Sequence, residues 1–318
     1  MTHANTKVAA LDAEGLSLKS VSLWQITWRR LFRRRSAVVG LFILLLLVII
    51  AITAQWIAPY DPTLSMLDAV PPQHIKPRAM PCVHIFGCPE DQPQHILGVD
   101  ANVRDEFSRL LYGSRISLWI GFATVTFAIV IGTVLGAVGG YFGGWLDNTI
   151  MRVMDVLLAF PSLLLAIAIV TVLGPGLTNA LLAIGIVSIP AYARVVRASV
   201  LSVREMDYVS ATRALGGSNL QILFRRILPN ALTPLIVQGT LGIATAILDA
   251  AALSFLGLGA QPPMPEWGKM LADERNQVFT APHLVFLPGL AIMLTVLAFN
   301  LIGDGLRDAL DPRLAHVS

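Results

Sequence analysis

Charge is scarce in this chain. Asp, Glu, Lys and Arg make up 14% of its 318 residues, against roughly 25% in an average soluble domain. Hydrophobic residues make up 55%, and the mean hydropathy is +0.69. A disordered chain is excluded, and a water-soluble enzyme fits poorly, because much of this surface needs lipid around it. Lysine is scarcer still: there are four, and the one Gly-Lys pair, Gly268-Lys269, is followed by Met270. With no GxxxxGK[ST] phosphate loop, the chain is not expected to bind or hydrolyse ATP. It also lacks an HExxH pair and a nucleophile elbow, so no catalytic residue and no metal site is assigned. The net charge is only +3. Its basic residues cluster at the ends of apolar runs, which excludes nucleic acid as a partner and points to lipid.

What is present is a series of apolar runs, each close to the roughly 20 residues that cross a membrane core. They cover about Ala37–Ala58, Ile116–Gly139, Val153–Leu173, Leu177–Val196, Leu232–Leu256 and Leu284–Ile302. The expected fold is all-α, a polytopic membrane protein with six transmembrane helices. With both termini in the cytoplasm, 16 of the 23 Lys and Arg residues lie on the inner side, while Arg115 marks an outer edge. That bias gives the orientation. The predicted organisation is a cytoplasmic N-terminal segment over 1–36 and a first span over 37–58. A periplasmic loop follows over 59–112. Next comes a five-helix core over 113–303, with a cytoplasmic loop at 198–230, and then a cytoplasmic tail over 304–318. The first apolar run is too long and too late for a signal peptide, and is read as a retained anchor. Before it, Leu23 to Phe32 mixes aromatic and basic residues. That suits a helix lying on the membrane surface, or simple positive-inside anchoring.

Two loops are long enough to carry function. The outer one holds the chain's two cysteines, Cys82 and Cys88, with His74, His84 and His95. A disulfide, free thiols and a metal site are all compatible with it. The inner one runs through Arg204, Asp207, Tyr208, Ala211, Arg213, Leu215 and Gly216. It predicts a short helix ended by a glycine, then a second helical piece over Asn219–Leu228 stopping at Pro229-Asn230. Tyr208, Val209, Leu215, Ile222 and Phe224 give this knob more apolar surface than a solvated loop needs, so a partner should dock there.

Within the spans, Gly132, Gly136, Gly140 and Gly144 recur every four residues. They predict close helix packing, either across a seam with a second subunit or inside the chain. Pro161 and Pro190 are expected to kink their helices. Asp249 is the one charge deep in a span, suited to a substrate pathway or to a structural hydrogen bond. Asp155, near the inner end of its span, is expected to pair with Arg152 or another base. Trp267 and Leu271 are placed on a short helix at the outer membrane surface.

The inner loop resembles that of permease subunits of bacterial binding-protein-dependent ABC importers. Ala211, Gly216, Leu228 and Pro229 match their Glu-Ala-Ala loop motif in register, while Ser210, Thr212 and Arg226 depart from it. Further blocks resemble the dipeptide/oligopeptide/nickel branch and its C-type subunit, with the dipeptide members most similar. They are Leu97-Gly98-Val99-Asp100, Arg104-Asp105, Ser108 to Arg115, Gly139 to Gly144, Leu256 to Pro263, Pro265-Glu266-Trp267-Gly268 and Gly303 to Pro312. Val103 stands where that family usually has Gly, so a different turn is expected there. The resemblance covers about Trp24 to Leu314. It implies a non-catalytic subunit of the bacterial inner membrane that imports dipeptides or short oligopeptides. It also implies a second homologous permease, two ATPase subunits that hold ATP and Mg, and a periplasmic substrate-binding protein. Arg204, Asp207, Arg213 and Arg225 are candidates for ion pairs with the ATPases, and Tyr208, Leu215 and Gly216 for the docking centre. Glutathione and nickel are alternative substrates. An ion-coupled secondary transporter is the alternative of a different class, though it predicts several buried ionisable groups and related halves, neither of which is evident.

Overall fold

The computed structural model describes residues 23–68, 75–89 and 92–310. The expected structures of residues 1–22 and 311–318, and His74, fall outside these. Among the described residues the chain is helical, with two isolated β-bridges, Cys82 with His95 and Val99 with Asp105. The chain enters through α1 (Leu23–Arg33), whose Trp28 and Phe32 are exposed and stacked 5.6 Å apart. Arg34 adopts extended backbone, so α2 (Arg35–Ile57) starts as a separate helix. A loop then leads to α3 (Glu106–Phe142), capped by the Asp105 carboxylate, which accepts from the Ser108 N–H. At 1.5 Å per residue its 37 residues run about 55 Å, well beyond a hydrocarbon core of about 30 Å.

The helix thus begins inside the stretch read from the sequence as a loop. Its first turns are polar, and Ser108 and Arg109 there find buried partners (below). Next come α4 (Gly144–Leu158) and α5 (Ser162–Leu173), bent by 92° at a short break. The kink expected at Pro161 is thus a sharp break within the third apolar run. Pro161 has no N–H to continue the helix and disfavours helical backbone at Phe160, so the chain turns there. By contrast α6 (Leu177–Arg204) is continuous through Pro190. Among the described residues, five helices are long and apolar enough to cross a membrane, or six if the bent pair counts as one.

The inner loop forms α7 (Asp207–Ala214), α8 (Asn219–Ile222), a π-turn over Leu223–Ile227 and α9 (Leu228–Ala231). The second piece therefore does not stop at Pro229. Proline removes a bond to the carbonyl four residues back. The π-turn absorbs the defect by pairing Leu228 N–H with Leu223 O, five residues back. The last elements are α10 (Thr233–Phe255), α11 (Trp267–Glu274) and α12 (Pro282–Leu310), which continues past the expected end of the last span.

The glycine repeat explains the closest packing. Gly132, Gly136 and Gly140 on α3 lie against Tyr192, Ala193 and Val200 of α6, so near that a Cβ would overlap its neighbours at Gly132 and Gly136 and be crowded at Gly140. These three glycines form a seam inside the chain rather than one with a second subunit. Gly144 leaves the repeat: it sits at φ +58°, opens α4, and has nothing nearby.

Candidate functional site

The helices end in two contrasting regions. One end carries the knob, α7 to α9. The other carries a cap made of the α2–α3 loop and α11.

In the knob, Val209, Ile222, Leu223 and Ile227 are fully buried and hold the short helices against the bundle. Tyr141 at the end of α3 donates to the Asn219 side chain (2.9 Å) and pins the start of α8. Asn230 donates to Arg226 O (2.8 Å) and to the Tyr208 hydroxyl, which itself donates to Arg226 O (both 3.2 Å). Gly216 ends α7 at φ +83°, a left-handed position suited to glycine, and faces open space. On this framework Leu215 is 89% exposed, with Leu220, Phe224 and Met206 also exposed. Asp207, Ala211, Arg213 and Arg225 are exposed, and among the described residues none of these charges takes an ion pair. Arg204 differs from its predicted companions. It turns inward, donating to the Gly140 and Tyr141 carbonyls (3.2 Å each) at the C-terminus of α3, with Glu205 at 3.1 Å. Asp155 pairs with Arg194 (2.6 Å) rather than Arg152, and Arg197 grips Asp147 through two 2.5 Å bonds.

Asp249 lies on α10, half-buried, with no hydrogen bond or ion pair among the described residues. Gln238, Gly242, Thr245 and Asp249 follow helical spacing and share one face of the helix.

The cap holds what sequence reasoning missed. Asp100 pairs with Arg104 (2.6 Å) and lies 3.5 Å from Arg109. Arg109 also donates to the carbonyls of Pro62 (2.9 Å) and Pro263 (3.1 Å), tying three loop segments together. Glu274 of α11 accepts from Arg78 (2.7 Å) and from the Ala101 N–H (2.8 Å). His95 pairs with Asp105 (2.8 Å), and nearly all of these groups are buried. Burial, with the Asp105 charge behind it, pushes the Tyr60 hydroxyl up. Burial also pushes the Glu266 carboxyl up, against the Gly268 and Lys269 N–H groups that favour its charged form.

The short helix α11 packs into the subunit through its first residues. Trp267 is 1% exposed and donates to Leu110 O (3.1 Å), while Gly268 packs on the Ala251 backbone. The residues that resemble a permease family at Gly98 to Arg115 and Pro265 to Gly268 are therefore the parts of an ionic clamp. Their polar density in so apolar a chain is the signal that could have found it. Val103 takes the left-handed conformation itself, φ +54°, and is fully buried with Met66 and Val99. Strain on the order of 1–2 kcal/mol is set against the burial of its side chain. Cys82 and Cys88 are joined as a disulfide with Cα atoms 5.3 Å apart, while His84 bonds the Gln92 carbonyl and Gln94.

The family of binding-protein-dependent transport system inner membrane components matches residues 116–316, and the N-terminal TM domain of oligopeptide transport permease C matches residues 22–77. The chain belongs to this permease family. The dipeptide transport system permease protein DppC of Alkalihalophilus pseudofirmus is 49% identical over 296 residues, covering 93% of this chain and 91% of that one. The glutathione transport system permease protein GsiD of Pectobacterium atrosepticum is 46% identical over 317 residues, 99% of both chains. Among solved structures, an inward-facing MetNI methionine ABC transporter matches with a TM-score of 0.52 at 22% identity, over 64% of this chain and 97% of that one. That last likeness is one of fold. The permease is a non-catalytic membrane subunit of a binding-protein-dependent ABC importer, which closes the alternative of an ion-coupled transporter.

Proposed function

We propose that this permease forms half of a pathway for dipeptides or short oligopeptides across a bacterial inner membrane, with six spans and both termini in the cytoplasm. A second, homologous permease completes the pathway. Two ATPase subunits, holding ATP and Mg, dock on the knobs, and a periplasmic binding protein delivers substrate at the cap. The observation that carries the reading is the knob, where exposed apolar side chains and unpaired charges ride on helices whose other faces are firmly anchored. Such a body transmits a push from a partner into α6 and α10, as a lever. The seven candidates Asp207, Tyr208, Ala211, Arg213, Leu215, Gly216 and Arg225 form the docking surface, and Arg204 supports it from behind.

The substrate class is supported by the dipeptide relative. Glutathione is the second reading, supported by the relative aligned over 99% of both chains. Asp249 supplies a pathway carboxylate for a peptide ammonium, supported by its lack of a partner on a polar face of α10. The Cys82–Cys88 bond suits an oxidising periplasm.

The test is uptake of a labelled dipeptide in cells lacking this gene against the same cells complemented, with excess glutathione as competitor. Loss on deletion that glutathione does not mimic supports the peptide reading. Uptake suppressed by glutathione moves the assignment to that substrate. Asp249→Asn is expected to lower uptake at least tenfold with ATPases still bound, and unchanged uptake would remove Asp249 from the pathway.

A further inference from the structure

Arg115 stands apart from the other arginines near the cap. Arg78, Arg104 and Arg109 have carboxylate partners, and Arg275 donates to Ala272 O (3.1 Å) and lies over the Phe255 ring. Arg115, one turn further along α3 than Leu111, is exposed and takes no hydrogen bond or ion pair among the described residues. It lies at the mouth of a groove of about 770 Å3 between α2 and α3. The groove has a polarity gradient. Gln55 of α2 and Arg115 mark its cap end, and Leu177 and Met264 also line it. Seven residues deeper on each helix, about 10 Å at 1.5 Å per residue, the wall becomes Val48 and Phe122. Trp56 and Trp119, both largely exposed, flank the cationic end. Tryptophan settles at the headgroup level of a bilayer. A cation with tryptophans above an apolar slot, on a surface already inside a membrane, matches one occupant in both charge and shape.

We propose that this groove binds an anionic phospholipid of the leaflet on the cap side, with the phosphate on Arg115 and an acyl chain along Val48, Ile52 and Phe122. An unpaired guanidinium in this position gains a charge-assisted, bidentate contact from a phosphate. The ammonium of a zwitterionic headgroup would oppose that gain, so selectivity for net negative lipids follows. The site depends on the chain crossing the membrane and not on which substrate it carries.

The test is native mass spectrometry of the whole importer, purified in detergent and titrated with phosphatidylglycerol or phosphatidylcholine. The wild type is expected to retain phosphatidylglycerol at least fivefold better. Arg115→Ala should abolish that preference, and Arg115→Lys should keep part of it. Ile52→Trp, which fills the slot and leaves the charge in place, should lower retention of phosphatidylglycerol at least threefold. Equal retention of the two lipids by the wild type, or an unchanged preference in both Arg115→Ala and Ile52→Trp, overturns the proposal. A photo-crosslinker in place of Trp119 gives an independent readout. Capture of phospholipid supports the site, and capture of the second permease instead shows the groove to be a protein interface and overturns it.

Discussion

The two ends of this permease use charge in opposite ways. At the cap, Asp100 with Arg104 and Arg109, and Asp105 with His95, are buried together. At the knob, Asp207, Arg213 and Arg225 are exposed and face no counter-charge within the described residues. A charge is buried in pairs when it fixes the chain's own geometry, because leaving one unpaired costs several kcal/mol. A charge held on a rigid, solvent-facing helix costs the subunit nothing and is free for a partner. The same contrast holds for apolar groups, with Trp267 enclosed at the cap and Leu215 open at the knob. The buried charges of the cap therefore fix the fold of this subunit, while those of the knob stay open to a partner.

The largest expected effect comes from breaking the cap. Arg109→Ala removes the cation beside Asp100 and strips two proline carbonyls of their donor. The expected loss is about 3–5 kcal/mol, seen as a fall in the thermal midpoint of the purified subunit and in its yield. An unchanged midpoint would mean that the buried ions do not organise the cap, and the contrast between the ends would fail.

A middle-sized effect is expected at the seam between α3 and α6. In Gly136→Val the new side chain would overlap the Ala193 carbonyl backbone. Backbone cannot yield as a flexible side chain can, so a cost of about 1–3 kcal/mol is expected, again as a lowered thermal midpoint. If stability held and only assembly with the second permease failed, the glycine repeat would be an intersubunit seam after all.

The legibility of this molecule follows the same division. Apolar runs show spans directly, and the boundaries of α2 and α10 fall within a few residues of those read from the sequence. The knob was readable because Gly216 and Gly217 punctuate it and its apolar residues are too many for a free loop. Hydropathy failed where tertiary pairing decides. The first turns of α3 look like loop because Ser108 and Arg109 are polar, and their buried partners let them be helical. The 92° turn at Pro161 was underestimated as a kink, since nothing in the apolar run around it marks a change of direction. Sequence spacing groups Arg204 with the docking charges, because it does not reveal the carbonyls of Gly140 and Tyr141, far away in the chain.

The smallest effect on stability is expected at Leu215, and it sharpens the comparison most. Its side chain is 89% exposed and makes no part of the core. Leu215→Ser should therefore leave the thermal midpoint of the isolated subunit unchanged, within about 0.5 kcal/mol. If the knob is a docking surface, the same change should weaken retention of the ATPase subunits during purification by roughly tenfold, the equivalent of about 1.4 kcal/mol. Gly216→Val separates two causes at the neighbouring position. A Cβ there meets open space, so the strain of a β-branched residue at φ +83° is the only local cost. Gly216→Asn tolerates that backbone better and should restore coupling if conformation matters more than surface. Normal ATPase retention in Leu215→Ser and Gly216→Val together would show that exposure at this end marks no interface, and the docking centre would have to be sought elsewhere on the knob.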